Sequence, residues 1–176
     1  MVRLFVLATT ALSAHVAFAE PADRFVATRT LGPGCKVRYY VEHNDADYST
    51  RLCHAIAAFQ LRVEVEDARD DVTLLPPRGA ERALELHDTI SGSAFSEVRG
   101  AALWLMHGWK PQALILTLYE QDESVDPPRA VPHYLVAKLG DAETCLVSDE
   151  SSLRRAKLRA RDAQHASCLP LRYKQP

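Results

Sequence analysis

The sequence predicts an α+β fold: an antiparallel β-sheet, built as a meander, with two helices packed on one face and disulfides that staple the layers. Three observations predict it. Two apolar runs lie on either side of a short turn between residues 101 and 119. Apolar residues recur at helical spacing in two further segments, 48–59 and 153–165. Four cysteines follow an N-terminal segment typical of an export signal, so oxidised pairs are expected.

Residues 1–19 have the composition of a cleavable secretory signal peptide. Arg3 provides the positive start, an apolar stretch continues to about Ala14, and Ala17-Phe18-Ala19 gives the small-x-small pattern that signal peptidase requires. The stretch is shorter and more polar than the roughly 20 apolar residues of a transmembrane helix. We therefore expect a periplasmic or secreted protein with one α+β domain over residues 20–176 and no transmembrane segment.

The composition of the mature chain argues against two classes of partner. Removal of residues 1–19 leaves 157 residues and changes the formal net charge from −2 to −3, because Arg3 is the only charged residue removed. Such a chain is long enough to bury its own core. Its acidic balance argues against a non-specific binder of nucleic acid or of anionic membranes.

The four cysteines, Cys35, Cys53, Cys145 and Cys168, all lie in the mature chain. An even number in an oxidising compartment predicts two disulfides, and four cysteines allow three pairings. We favour Cys35–Cys53 and Cys145–Cys168, since each would tie a strand to the helix that follows it. The paired C-x-x-C or H-x-x-x-H spacing of a structural zinc site is absent from the sequence, so we expect no metal and no cofactor.

The first half of the chain predicts a hairpin and a helix. Alternation in 24–30 and 35–41, separated by Leu31-Gly32-Pro33-Gly34, is typical of two paired strands. Asp47 is placed to cap a helix over 48–59, whose apolar residues share one helical face.

Several segments that follow are harder to assign. We favour a strand over 61–67, although a continued helix fits the same apolar residues. The charged residues 67–71 indicate a loop before a short apolar segment at 72–75. Residues 80–90 fit either a strand or a helix.

The second half predicts four consecutive strands followed by a helix. The apolar runs 101–106 and 113–119 form a hairpin, and 133–139 and 144–147 continue the meander. Ser148-Asp149-Glu150 would then cap a helix that ends near His165.

Two groups of residues suggest a binding surface. His107 and Trp109, in the turn of the central hairpin, can form an exposed aromatic patch. The acidic loop from Glu120 to Arg129, which includes Asp122 and Glu123, can attract a basic partner. The alternatives are a turn that packs on itself and a solvated loop. The basic residues of the last helix are spread around it and indicate a solvated flank.

Candidates for chemistry are weaker. His87-Asp88 with Ser91 and Ser93 contains the residue types of a serine hydrolase but lacks the nucleophile-elbow sequence G-x-S-x-G, so we favour a turn between strands over a catalytic group. Residues 45–49 begin like a calcium loop, but the required glycine and glutamate are missing.

The leading hypothesis for function is therefore a non-catalytic, exported binding or accessory protein of the bacterial envelope, of the inhibitor or immunity type or a subunit of a complex, with a protein partner. The alternative is a small periplasmic hydrolase that uses His87 or His133 with a nearby carboxylate.

Overall fold

The computed structural model describes residues 23–39, 48–92, 94–140 and 143–173. Strands account for 53% of the structure and helical segments for 14%. The fold is therefore mostly β, a curled mixed sheet in the form of a half-barrel, and the predicted α+β class is wrong. The predicted signal peptide, 1–19, lies outside the described residues.

The described strands, in chain order, are β1 (Asp23–Arg29), β2 (Cys35–Tyr39), β3 (Ser49–His54), β4 (Gln60–Glu66), β5 (Arg69–Leu75), β6 (Arg82–Ala83), β7 (Ser96–Val98), β8 (Ala101–His107), β9 (Lys110–Asp122), β10 (Arg129–Leu139) and β11 (Thr144–Glu150). The helical segments are a π-helical turn at His87–Ser91, the helix α1 (Leu153–Asp162) and a 3-10 turn at Ala163–His165.

The sheet runs in the order β1-β8-β9-β7-β5-β4-β3-β2, with β10 on the other side of β9, β11 beyond β10, and β6 on β5. Neighbouring strands are antiparallel except β5 and β7, which pair in parallel at Arg69 and Ser96. That short parallel contact joins the meander β2–β5 to the strands β7–β11. Among the described residues it is the only strand pairing between these two parts.

The curl of the sheet produces two apolar layers. The concave face holds the main core, which includes Trp104, Leu116 and Leu135. On the convex face α1 covers part of the sheet, and its Ala156 and Ala160 pack against residues such as Ile115. Because β9 is covered on both faces there, Ala113–Leu116 are all buried, which explains a continuous apolar run in place of alternation.

The predicted helix over 48–59 is wrong. This segment forms β3, which pairs with both β2 and β4. Ala57 and Ala58 then turn the chain with φ of 52° and 64°, a left-handed conformation that alanine seldom adopts. The apolar residues at helical spacing here belong to a strand and the turn after it, and the pairing of β3 with its neighbours β2 and β4 outweighs the local periodicity.

The predicted hairpin of 24–30 with 35–41 is also wrong, although a strand lies in each segment. β1 pairs with β8, from Asp23 opposite His107 to Arg29 opposite Ala101. β2 pairs with β3. The turn at Leu31–Gly34 therefore carries the chain from one end of the strand order to the other. The sequence pattern of a hairpin predicts a turn between two strands, but it does not determine which strand each of them pairs with.

The meander and both disulfides are confirmed. β8, β9, β10 and β11 pair successively. Cys35 bonds Cys53 and Cys145 bonds Cys168. The reason we gave for the pairing is correct only in part, because the first disulfide joins directly opposed residues of two strands, β2 and β3. The second ties β11 to the segment after the last helix.

The last helix begins later than predicted. Ser148-Asp149-Glu150 extend β11, and the hydroxyl of Ser152 caps α1 by accepting from the amide of Arg155 at 3.4 Å. The basic side chains of α1 lie mostly exposed on the surface, as a solvated flank requires.

Candidate functional site

Trp109 is the most exposed large apolar residue among those described, with 85% of its surface accessible. It lies with Gly108 in the two-residue turn between His107 of β8 and Lys110 of β9, which are paired. Gly108 has φ of 59°, a conformation that suits glycine and the tight hairpin turns of this kind. Because two paired strands fix the turn, the indole projects from a rigid support.

The charged neighbours of Trp109 are two cations, Arg24 and Lys110, and one anion, Asp23. The guanidinium of Arg24 lies 5.6 Å from the centre of the indole ring, within the range of a cation–π contact. His107 Nδ1 lies 3.1 Å from Asp23 Oδ1. We define Asp23, Arg24 and residues 107–110 as the Trp109 turn. Trp104, by contrast, is fully buried, as expected from its apolar run.

The acidic residues predicted to bind a partner lie at the opposite end of the same strand. β9 has 13 residues from Lys110 to Asp122, and Glu120 and Asp122 belong to this strand while Glu123 follows it. At about 3.3 Å per residue, Lys110 and Asp122 are separated by roughly 40 Å. The predicted residues therefore form two separate surfaces and cannot contact one small ligand together.

Glu120, Asp122 and Glu123 line a cavity of about 330 Å³ with Gln121, Val131 and His133. Asp122 already has partners, because its carboxylate accepts from the amide and hydroxyl of Ser124 at 3.1 and 2.5 Å. The hydrogen bond from the Ser124 hydroxyl is the main cause that lowers the pKa of Asp122. Asp122 thus holds the β9–β10 connection in place.

His133 bridges three strands at this cavity. Its Nδ1 lies 2.9 and 3.1 Å from the two carboxylate oxygens of Asp149 in β11. Its Nε2 lies 3.8 Å from Glu120 Oε2 in β9. The register places all three side chains on the concave side of the sheet, since His133 is opposite Leu118 and Leu135 is opposite Asp149. They lie beyond the apolar core, where the long strands extend towards solvent.

The two carboxylates affect what His133 can do. The hydrogen bond with Asp149 is the main cause that raises the pKa of His133; burial opposes it, and the charges of Asp149 and Glu120 add to it. A raised pKa increases the protonated fraction near neutral pH, which makes the imidazole a poorer general base. In the part of the chain described, no serine hydroxyl is hydrogen-bonded to His133. The hydrolase hypothesis therefore has its carboxylate but lacks a nucleophile beside it.

The other proposed catalytic group, His87 with Asp88 and Ser91, does not come together as a triad in the described structure. His87 Nδ1 is buried and has no hydrogen-bond partner among the described residues, and the Ser91 hydroxyl accepts from that of Ser96 at 3.3 Å. The carbonyl of Asp88 accepts from the amides of two residues near the C-terminus. Ser93, and residues 45–47 of the calcium-like sequence, lie outside the described residues.

A polar cleft of about 500 Å³ was not predicted from the sequence. It is lined by Tyr48, Glu64, Glu66, Arg69, Asp70, Asp71 and His87. Burial is the main cause that raises the pKa values of both aspartates. Asp70 pairs with Arg51 at 2.5 Å, and Asp71 accepts from the amides of Val72 and Leu86 at 2.7 and 3.0 Å. Through these interactions the two carboxylates hold the adjoining strands and loops together. The loop predicted over 67–71 is wrong, because β5 begins at Arg69, and the buried position of Asp70 in this strand was therefore not predicted.

One further group of residues has the composition of a metal site. Glu143, Cys145 and Cys168 bring three potential ligand atoms within 4.8 Å of one another. The two sulfur atoms are bonded to each other, so they have no thiolate to offer a metal. This group is a disulfide with a neighbouring carboxylate.

The comparisons with known proteins add no assignment. The chain matches no family model, and neither the curated proteins nor the solved structures provide a significant match. Among the described helices, none combines the length and the apolar character needed to cross a membrane. The two disulfides are consistent with an extracellular or periplasmic protein. Function has to be inferred from the surfaces described above.

Proposed function

We propose that the mature chain is a non-catalytic, exported binding or accessory protein of the bacterial envelope, and that it engages a protein partner through the Trp109 turn. The observation that carries the proposal is the 85% exposure of Trp109 on a tight hairpin turn. Export to the periplasm or the medium is supported by the predicted signal peptide and by the oxidised cysteines.

The energetic argument starts from the area of the indole. A tryptophan buries up to about 250 Å² in an interface, so covering the exposed part removes roughly 200 Å² from water, equivalent to an upper value of about 5 kcal/mol. Tryptophan is also among the residues most enriched at the energetic centres of interfaces. A rigid turn reduces the conformational entropy lost on binding.

The charges around the indole indicate the chemistry of the partner surface. Arg24 lies against the indole, and Lys110 follows Trp109 in the chain. A partner that offers an apolar pocket with carboxylates at its rim would complement both the ring and the cations.

Site-specific photo-crosslinking tests the proposal. A photoreactive amino acid is placed at position 109 and, as a matched control, at position 95, since Phe95 is an exposed apolar residue (44%) whose carbonyl accepts from Gln121 near the acidic end of β9. We expect a discrete cross-linked product in the envelope from position 109 alone. Equal products from both positions, or none from position 109, would contradict the proposal.

Affinity for the identified partner then provides a quantitative test. Trp109→Ala should weaken binding at least 30-fold, corresponding to about 2 kcal/mol. Phe95→Ala should change it by less than about 3-fold. A Trp109→Ala variant that binds like the wild-type chain would remove the turn from the interface.

A further inference from the structure

The environment of the His133 ring differs at its two nitrogens. Nδ1 is within hydrogen-bond distance of both oxygens of Asp149, at 2.9 and 3.1 Å. Nε2 faces Glu120 Oε2 at 3.8 Å, and both residues line the cavity of about 330 Å³. The carboxylate of Asp149 thus holds one edge of the ring while the other edge faces an accessible space.

The distance between His133 Nε2 and Glu120 Oε2 is longer than a hydrogen bond and close to the separation of two atoms that bind the same metal ion. A direct charge-assisted N–H···O hydrogen bond would be about 2.7–2.9 Å long, so the observed 3.8 Å is about 1 Å too long. Metal–nitrogen and metal–oxygen bonds of about 2.1 Å at a tetrahedral angle separate the two ligand atoms by about 3.4 Å. The observed distance is closer to this bridged value and needs a shift of about 0.4 Å to reach it.

The partner on Nδ1 is also the one that a metal-binding histidine uses. Such histidines usually donate their second ring N–H to a carboxylate, which fixes the tautomer and leaves the lone pair of the other nitrogen for the metal. Asp149 occupies this position here. Imidazole and carboxylate together suit zinc and neighbouring divalent transition metals, while magnesium and calcium prefer oxygen ligands alone.

We propose that His133 Nε2 and Glu120 bind a divalent transition metal ion of the zinc class at the mouth of this cavity, with Asp149 positioning the imidazole. The chain supplies two ligand atoms, and water from the open cavity completes the coordination. The site is independent of the Trp109 turn, since the two lie at opposite ends of β9.

The test is a titration of the mature, oxidised protein with Zn²⁺ at about pH 8, where the imidazole lone pair competes well with protons. The primary readout is the imidazole nitrogen spectrum. Zn²⁺ should move the Nε2 resonance of His133, while Nδ1 stays protonated. A thermal melt with Zn²⁺ gives a second readout, because a ligand that binds the folded state raises Tm.

Variants separate the proposed roles. His133→Gln should abolish the Zn²⁺ effect, Glu120→Gln should weaken Zn²⁺ binding at least 10-fold, and Asp149→Asn should weaken it about 10- to 100-fold. His107→Gln is the matched control, because His107 also pairs with an aspartate on the surface but belongs to the other end of β9. It should leave the Zn²⁺ affinity unchanged.

The Zn²⁺ titrations of the variants test the proposal even if one variant folds poorly. Glu120→Gln removes only a charge near the surface, so its circular dichroism and melt should match those of the wild-type chain and keep the test valid. Zn²⁺ binding that is unaffected in folded His133→Gln or Glu120→Gln overturns the assignment. So does binding lost equally in His107→Gln, or a wild-type Kd weaker than about 1 mM.

Discussion

Asp70 connects three strands at the junction of the two parts of the sheet. Its side chain is only 3% exposed, and Oδ2 accepts from Arg51 Nη2 in β3 at 2.5 Å and from the amide of Val98 in β7 at 2.9 Å. β5, which carries Asp70, is also the strand that pairs in parallel with β7. We predict that Asp70→Asn, which keeps the shape of the side chain and removes its charge, destabilises the fold strongly.

The size of the effect follows from what remains after the substitution. Removing one member of a buried ion pair leaves the other charge uncompensated and typically costs about 3–5 kcal/mol. Arg51 is 14% exposed, so water reaches it in part, and its Nε is already buried without a hydrogen-bond partner in the described structure. Burial raises the pKa of Asp70 in spite of the charge of Arg51, so removal of the Asp70 charge also recovers part of the free energy spent on burying it. We therefore expect the lower value, about 3 kcal/mol. For a chain of this size that corresponds to a fall in Tm of about 6–12 °C.

Urea denaturation followed by tryptophan fluorescence measures this loss. The chain has two tryptophans, so a Trp109→Phe background leaves Trp104, which is fully buried, as the single reporter. Arg51→Met combined with Asp70→Asn removes both charges and should recover at least half of the lost free energy. A loss below about 1 kcal/mol for Asp70→Asn, or a double variant less stable than the single one, would refute the reasoning.

The remaining predictions concern stability. Replacing Cys145 and Cys168 together by alanine should lower the free energy of unfolding by about 3 kcal/mol, because the unfolded chain regains the freedom of a closed loop; equal urea midpoints with and without the bond would contradict this. Trp104→Phe should lower the free energy of unfolding by about 2 kcal/mol, because it removes the hydrogen bond from Nε1 to the Thr28 hydroxyl at 2.8 Å and leaves a smaller ring in the core. Urea titration measures this loss. Burial raises the pKa of the Asp71 carboxyl group in the folded chain above its unfolded value of about 3.9. The protonated carboxyl group therefore stabilises the fold below the unfolded pKa, and this stabilisation is lost as the pH rises through the pKa of the folded chain. Asp71→Asn keeps an oxygen acceptor for the two amides and removes the buried charge, so it should be more stable than the wild-type chain at neutral pH. The difference in the free energy of unfolding should shrink towards about pH 3. A constant difference across this pH range would show that ionisation is not the cause.

The candidate surfaces were predictable only in part. The exposure of Trp109 follows from its neighbours, since a glycine and a short loop between two apolar runs predict a hairpin turn with its residues outside the sheet. The cluster of His133, Glu120 and Asp149 could not be predicted from the sequence, because it depends on the register of three strands. A change of register by one residue would move each of these side chains to the other face.

The sequence by itself determined the features that rest on local or covalent chemistry. These are the segments that can form strands from residue 101 onwards, the helix near the C-terminus and the expectation of two disulfides, although the sequence left three pairings of the four cysteines open. Its local patterns also misled, because Ala57 and Ala58 favour a helix in isolation and yet adopt positive φ in the turn after β3.

Only the tertiary structure decided how the strands outside the β8–β11 meander pair and how the sheet closes on its core. β1 pairs with β8 and not with β2, its neighbour in the chain, and β5 pairs with β7 in parallel within a sheet that curls into a half-barrel. The physical reason is that strand pairing and apolar burial are satisfied between segments far apart in the chain, which a local pattern does not record.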